Sequence, residues 1–277
     1  HVRVADIFVL RTAVPPIDAL NGKKIVALRR LGKRIVFGFE DELWLVLHLM
    51  VAGRLQWANA GAKRVSRNVI AEFAFEHGTL ALTEAGTKRR ASLHVVKGED
   101  ALHAHDPGGI DVFAATTKEF GTVLTRGNHT LKRVLTDPHV FSGIGNAYSD
   151  EILHAAKLSP VMLTSKLSPA EIERLHVAVK EVLVGATATL RREAGERFPD
   201  KVTAFRPEMA VHGKFGQPCP VCGTAVQRIV YAENEVNYCP RCQTGGKLLA
   251  DRSLSRLLKQ DWPRSVEEAE ALKRSRA

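Results

Sequence analysis

Residues Ser142-Gly143-Ile144-Gly145-Asn146-Ala147-Tyr148-Ser149-Asp150-Glu151-Ile152-Leu153 set two glycines and an asparagine directly before a helical pattern. Two readings compete. Either the glycines only turn the chain, or they open the backbone at a helix mouth to an anion. The start of a helix presents unpaired N–H groups and the positive end of the peptide dipoles, a phosphate-sized receptor. Gly143 and Gly145 would let a phosphate approach the backbone closely. Asn146 could cap the helix and donate its amide to a phosphate oxygen. Upstream, Asn128 to Pro138 (NHTLKRVLTDP) predicts a short helix with Lys132 and Arg133 near its end, stopped by Asp137-Pro138. Two helices would thus flank a short double turn.

The chain on the N-terminal side reads differently. Segments 24–30 (KIVALRR), 33–39 (KRIVFGF) and 43–49 (LWLVLHL) are rich in β-branched, aromatic and leucine residues. Gly32 and Glu40-Asp41-Glu42 punctuate them, as in a β-meander. Segments 69–75 (VIAEFAF) and 79–83 (TLALT) flank a hairpin signal at Glu76-His77-Gly78. The first hundred residues therefore predict a sandwich. Asp106-Pro107-Gly108-Gly109 breaks the pattern, and helical periodicity follows over 117–125, 129–136, 146–157 and 168–193. Ser168-Pro169-Ala170-Glu171 opens the last helix with a capping-box pattern and proline at the first turn. The expected fold is α+β and multidomain: a β-sandwich over 1–105, a helical domain over 106–204, a cysteine finger over 205–245 and a basic extension over 246–277. That extension holds Lys247, Arg252, Arg256 and Lys259, and an amphipathic stretch at 254–262 (LSRLLKQDW). It either lies along a polyanion or forms a solvated helix.

All four cysteines fall in one segment, as Cys219-Pro220-Val221-Cys222 and Cys239-Pro240-Arg241-Cys242, with 16 residues between the pairs. Each C-x-x-C can curl two thiolates toward one metal, and four soft sulfur ligands suit a closed tetrahedral Zn2+. The pattern predicts one structural zinc ion and a zinc ribbon, with a hairpin between the pairs. A redox pair or four free thiols is the bland alternative, and two matched pairs at zinc spacing argue against it.

Net charge is +10, with 45% hydrophobic and 25% charged residues. That balance suits a polyanionic partner, nucleic acid before membrane. The most apolar run, Leu43 to Val51, is strand-sized and interrupted by His48, so no membrane partner is expected. Cysteines used for metal fit a reducing, cytoplasmic setting. Translation begins with methionine and this chain with His1; the expectation is that His1 is a cut or incomplete start.

The ordered set resembles the formamidopyrimidine-DNA glycosylase/endonuclease VIII family over nearly all of residues 20–245. The carrying residues are the helix–two-turns–helix pattern Gly143-Ile144-Gly145-Asn146-Ala147-Tyr148, the approach Val211-His212-Gly213-Lys214-Phe215-Gly216-Gln217-Pro218-Cys219, the four-cysteine finger and the strand end His48-Leu49-Met50-Val51-Ala52-Gly53. The resemblance implies base excision repair: a monomer that binds damaged double-stranded DNA, flips out an oxidised base, removes it and cuts the abasic strand. It implies an N-terminal proline amine as nucleophile with a neighbouring glutamate, neither of which matches the start of this chain. The chain from His1 is therefore expected to bind without catalysing. Lys33 resembles the family's catalytic-site lysine beside the lesion and its phosphate. Lys132 resembles a lysine that reaches phosphate, with Asn146, Gly143 and Gly145 beside it. Lys88, Arg89 and Arg90 occupy the place of an arginine-bearing loop that enters the duplex. The family's probing methionine aligns with Val51, next to Met50. Where the family often carries an arginine before the third cysteine, this chain has Asn234. A non-catalytic damaged-DNA-binding protein on the same scaffold is the alternative, and a zinc-ribbon RNA-binding module is the third reading.

Overall fold

The computed structural model describes all residues except 64–66, 87, 200–201, 232–233, 251–262 and 276–277. Of the basic extension, Arg252, Arg256, Lys259 and the stretch 254–262 thus lie outside the described residues. The chain divides into two compact units: His1–Gly109 with Arg191–Val202, and Ile110–Leu190 with Thr203–Ala277.

The first unit is a two-sheet sandwich. One sheet has the order β1 (Val2–Val4), β6 (Val69–Phe75), β7 (Gly78–Glu84), β5 (Gly53–Asn59). The other has β2 (Ile25–Leu31), β3 (Arg34–Phe39), β4 (Leu43–His48), β8 (Ser92–Lys97). All named strand pairs are antiparallel. Strand β4 explains why its sequence lacks alternation. Leu43, Leu45 and Leu47 face the sandwich core with Ile70, Phe73, Leu80, Leu82, Leu93 and Val95. Trp44 and Val46 point the other way, into a second cluster with Val36, Val96 and Leu102. Leu102 belongs to α1 (Glu99–His103), which supplies the apolar cover on that face. A strand buried on both faces reads as a continuous apolar run. The β3–β4 turn puts Asp41 and Glu42 at positive φ, 59° and 56°, which matches the primed hairpin turns that follow strand twist.

The second unit joins the helices and the finger. Helices α2 (Thr117–Leu124), α3 (Leu131–Thr136), α4 (Asn146–Ala155) and α5 (Pro169–Ala194) bury Phe120, Leu124, Leu131, Leu135, Ile152, Leu153, Leu175 and Val179 in one cluster, joined by Phe141 from the connection between α3 and α4. The expected capping box is present: Ser168 Oγ accepts from Glu171 N at 3.3 Å, and Ser168 N donates to Glu171 Oε2 at 2.8 Å. A second box, Thr116 with Glu119, starts α2. The finger contains the hairpin β9 (Gln227–Tyr231) and β10 (Asn234–Tyr238), then α6 (Pro240–Thr244). Helix α7 (Val266–Ser275) follows the undescribed stretch. No described helix is long and apolar enough to cross a membrane.

Candidate nucleic-acid interface and metal centre

Within the second unit, α3 and α4 flank the double turn as expected, with two differences of detail. Lys132 is the second residue of α3, which begins at Leu131, while Arg133 falls in its last turn as expected. The cap of α4 is Gly145, extended at φ −118° and ψ −179°, and Asn146 is the first helical residue. Asn146 therefore does not cap its own helix. Its Nδ2 instead donates to the Glu235 carbonyl on β10 at 3.1 Å. Among the described residues no side chain caps α4, so the first N–H groups of this helix mouth are left to other acceptors. Gly143 has φ +89°, a conformation that a residue with Cβ adopts only at a cost.

Lys132 is buried at 9% exposure. Its Nζ donates to the Asn146 carbonyl at 2.7 Å and to Asp150 Oδ1 at 2.6 Å. Burial pushes the ammonium below the ordinary lysine value, and the Asp150 carboxylate opposes that shift. Asp150 Oδ2 also meets His212 Nδ1 at 2.8 Å and accepts from Asn237 N at 3.2 Å. The next carboxylate, Glu151, accepts three consecutive backbone N–H groups, from Ala210, Val211 and His212, at 2.8, 3.0 and 2.8 Å. Lys132 thus pins the start of α4 from beneath, and two acids of α4 hold the approach to the finger. Asp150 and Glu151 escaped sequence reasoning. They stand in the opening stretch, but apart from Lys132, 18 positions before Asp150, their partners are 59 to 87 positions away.

The four Sγ atoms of Cys219, Cys222, Cys239 and Cys242 lie within 4.8 Å of one another. Cys222 and Cys239 are 3.4 Å apart, and Cys219 and Cys242 3.9 Å. A tetrahedron with metal–sulfur bonds of about 2.3 Å spaces its sulfurs by about 3.8 Å. Burial pushes the Cys239 thiol up, and a bound cation would hold that sulfur as thiolate in place of its proton. The donor set and spacing fit one structural Zn2+ with no open coordination position.

In the first unit, Lys33 sits in the β2–β3 turn after Gly32. It is exposed, yet desolvation of its ammonium, and then the Arg34 guanidinium, lowers its pKa. Arg34 pairs across the sheet with His48, and His48 is likewise lowered by burial, then by Arg34 and Lys33. The turn after β4 carries Met50 and Val51 at 44% and 77% exposure. Gly53 closes it so tightly that a Cβ there would stand 2.3 Å from the Leu49 carbonyl oxygen. Lys88, Arg89 and Arg90 are exposed on the loop after β7. Arg89 Nη1 reaches Asp6 Oδ2 at 2.6 Å. Buried Glu84 shapes that loop by accepting the N–H groups of Arg90 at 2.9 Å and Ala91 at 3.0 Å. Asn234 opens β10.

Comparison with known proteins follows this order of parts. Residues 1–92 match the formamidopyrimidine-DNA glycosylase N-terminal domain, residues 109–194 the formamidopyrimidine-DNA glycosylase H2TH domain, and residues 216–245 the zinc finger found in FPG and IleRS. An uncharacterized formamidopyrimidine-DNA glycosylase-like protein of Mycobacterium tuberculosis is 45% identical over 151 residues, covering 54% of this chain and 94% of that protein. The formamidopyrimidine-DNA glycosylase of Albidiferax ferrireducens is 31% identical, covering 81% of this chain and 84% of the relative. The Lactococcus lactis formamidopyrimidine-DNA glycosylase, solved non-covalently bound to DNA containing an AP site, shares the fold. Its TM-score is 0.73 at 24% identity, over 88% of this chain and 90% of the other. With identity of this extent and its parts matched in sequence, the chain belongs to the formamidopyrimidine-DNA glycosylase family of enzymes.

Proposed function

We propose that the chain acts on damaged duplex DNA, removing an oxidised base and cleaving the strand at the resulting abasic site. The observation that carries this reading is the mouth of α4. Among the described residues no side chain caps it; it is reached through a two-glycine turn and held from beneath by the Lys132 ammonium on the Asn146 carbonyl. An N-terminus so arranged receives a backbone phosphate through N–H groups without reading a base. Solved relatives support the substrate class: one L. lactis enzyme is bound to an abasic site, and a MutM to DNA containing carbocyclic 8-oxo-G.

In this reading the α4 mouth and the exposed Arg133 fix the duplex through its phosphates. Val51, with Met50, is the apolar wedge that enters the stack as the damaged nucleotide leaves it. Lys88, Arg89 and Arg90 follow the gap left opposite. Lys33, its pKa lowered by desolvation, stands beside the flipped sugar and its phosphate. The lyase step needs an amine that attacks C1′, expels the base, and forms a Schiff base to the opened sugar; loss of the 2′ proton then expels the 3′ phosphate. The family resemblance assigns that amine to an N-terminal proline, and Lys33 to its support. The zinc is structural and takes no part in the chemistry.

The test is a single-turnover incubation of the 277-residue chain with duplexes that carry 8-oxoguanine or an abasic site, with and without borohydride. Strand scission and a trapped covalent adduct support the glycosylase–lyase reading. Tight binding of the damaged duplex over the intact one, with neither scission nor adduct, keeps the damaged-DNA reading and means that these residues do not supply the attacking amine. No preference for damaged DNA sinks both.

A further inference from the structure

Asn146, Asp150 and His154 follow one another at four-residue spacing on α4, so they lie on one side of the helix. Each meets a part of the finger or its approach. Asn146 reaches the Glu235 carbonyl, and Asp150 the His212 ring and the Asn237 N–H. His154, in the last turn, places Nε2 at 3.2 Å from Cys219 Sγ. Both residues are buried, at 7% and 2% exposure.

The contact has a direction once zinc is bound. A zinc-bound thiolate offers lone pairs and no hydrogen, so the hydrogen between the two atoms sits on Nε2. Four thiolates around Zn2+ leave a formal charge of about −2 in a small buried volume, and each donor aimed at a sulfur offsets part of it. Cys239 Sγ takes its donor from inside the finger, the backbone N–H of Cys242 at 3.5 Å. Cys219 takes its donor from outside the finger, from the helix whose other end is the anion-binding mouth.

We propose that His154 is a positioning residue for the zinc: its Nε2–H donates to the Cys219 thiolate, strengthens metal retention and fastens the finger to α4. The bland alternative is that His154 fills space as any flat ring would. The two part in their response to isosteric change. His154→Phe keeps the ring and removes the donor, while His154→Gln keeps a donor on a different stem.

The experiment uses the full chain and metal readouts, so it stands apart from any DNA activity. Zinc affinity is measured by chelator competition, and the sulfur-to-metal charge-transfer band is recorded on the cobalt-substituted protein. His154→Phe should lose about 10–100-fold in zinc affinity and shift the charge-transfer band to longer wavelength, because an unbonded thiolate gives up its electrons more readily. His154→Gln should recover part of both. Circular dichroism of the zinc-loaded variants checks that the rest of the chain is folded. Parent-like affinity and spectrum in folded His154→Phe would overturn the proposal. So would equal losses in both variants with no spectral shift, since that pattern belongs to packing alone.

Discussion

Leu43–Leu47 of the sandwich and Cys219 and Cys239 of the finger both reach deep burial, by opposite means. In β4, Leu45, Val46 and Leu47 are buried at 0–1% exposure by apolar neighbours on both sides of a sheet. Their stability comes from area removed from water, non-directional and spread over many contacts. In the finger the central cluster is Val211, Cys219, Val226 and Cys239, with a second cluster of Ile229, Val236 and Tyr238. So small a segment buries too little apolar surface to order itself. It relies on a few directional contacts: four thiolates on a metal, Asp150 on His212, and Gln243 Nε2 on the Leu158 carbonyl at 2.9 Å. The sandwich should therefore tolerate loss of any one contact, and the finger should not.

Metal removal is the most severe way to test that contrast. Structural zinc in isolated fingers binds with an apparent ~10–16 kcal/mol that is itself folding free energy. Chelation, or Cys222→Ser, should abolish hydrogen-exchange protection across 216–245 and leave β3, β4 and β8 protected. Equal loss in both regions would mean that the two cores fold as one. Full protection of the finger after verified metal loss would remove the metal from its stability.

A smaller effect should follow from Lys132→Met. The substitution keeps most of the buried stem and takes the ammonium from Asp150, 1% exposed, leaving that carboxylate only His212 Nδ1 and the Asn237 N–H. Breaking one side of a buried pair costs about 3–5 kcal/mol, read as a lower unfolding midpoint in denaturant. Double replacement, Lys132→Met with Asp150→Asn, should recover much of it. The same variant sorts structure from contact. A lysine that touches phosphate itself would lower the log–log salt slope of duplex binding by about 0.9 when removed. A lysine that only supports the Asn146 carbonyl would weaken binding with the slope unchanged.

That pair also shows what local sequence carries and what it does not. The metal site was legible because both C-x-x-C pairs are local and their spacing is itself the geometry. The strands β2, β3, β4, β6 and β7 and the helices α2 to α5 were legible from periodicity and turn residues. Strands β5 and β8 were not: Trp57 and Gln56, or His94 and Lys97, dilute the pattern, and only their partners β7 and β4 make them strands. At the turn, the glycines and Asn146 stood out, but the cap position fell on Gly145, and the Asn146 Nδ2 found its acceptor 89 positions away. Asp150, Glu151 and His154 look in sequence like ordinary residues of an amphipathic helix. Their roles exist only through residues that the fold returns to them.

The gentlest probe is acid, and it reads the sandwich. His94 lies on β8, with its ring 4.5 Å from that of His105. Burial, then His105, Arg34, Arg11 and His48, lowers its pKa from the usual 6.5 to about 4. The unfolded chain binds a proton near pH 6.5 that the folded sandwich refuses until about pH 4. Above pH 6.5 the two states bind alike and His94 adds no pH dependence. Between 6.5 and 4 the unfolded state holds more protons, so stability falls as pH falls, by at most about one proton's worth of slope from this residue. Exposure of part of the ring, and screening by salt, reduce it further. His94→Gln should leave the unfolding midpoint at pH 7.5 nearly unchanged and flatten the acid limb, with proton uptake on unfolding at pH 5 reduced by up to about one. Calorimetry in buffers of different ionisation enthalpy measures that uptake directly. An acid limb as steep in His94→Gln as in the parent would place the titrating groups elsewhere, with His48 and His105 the next to replace.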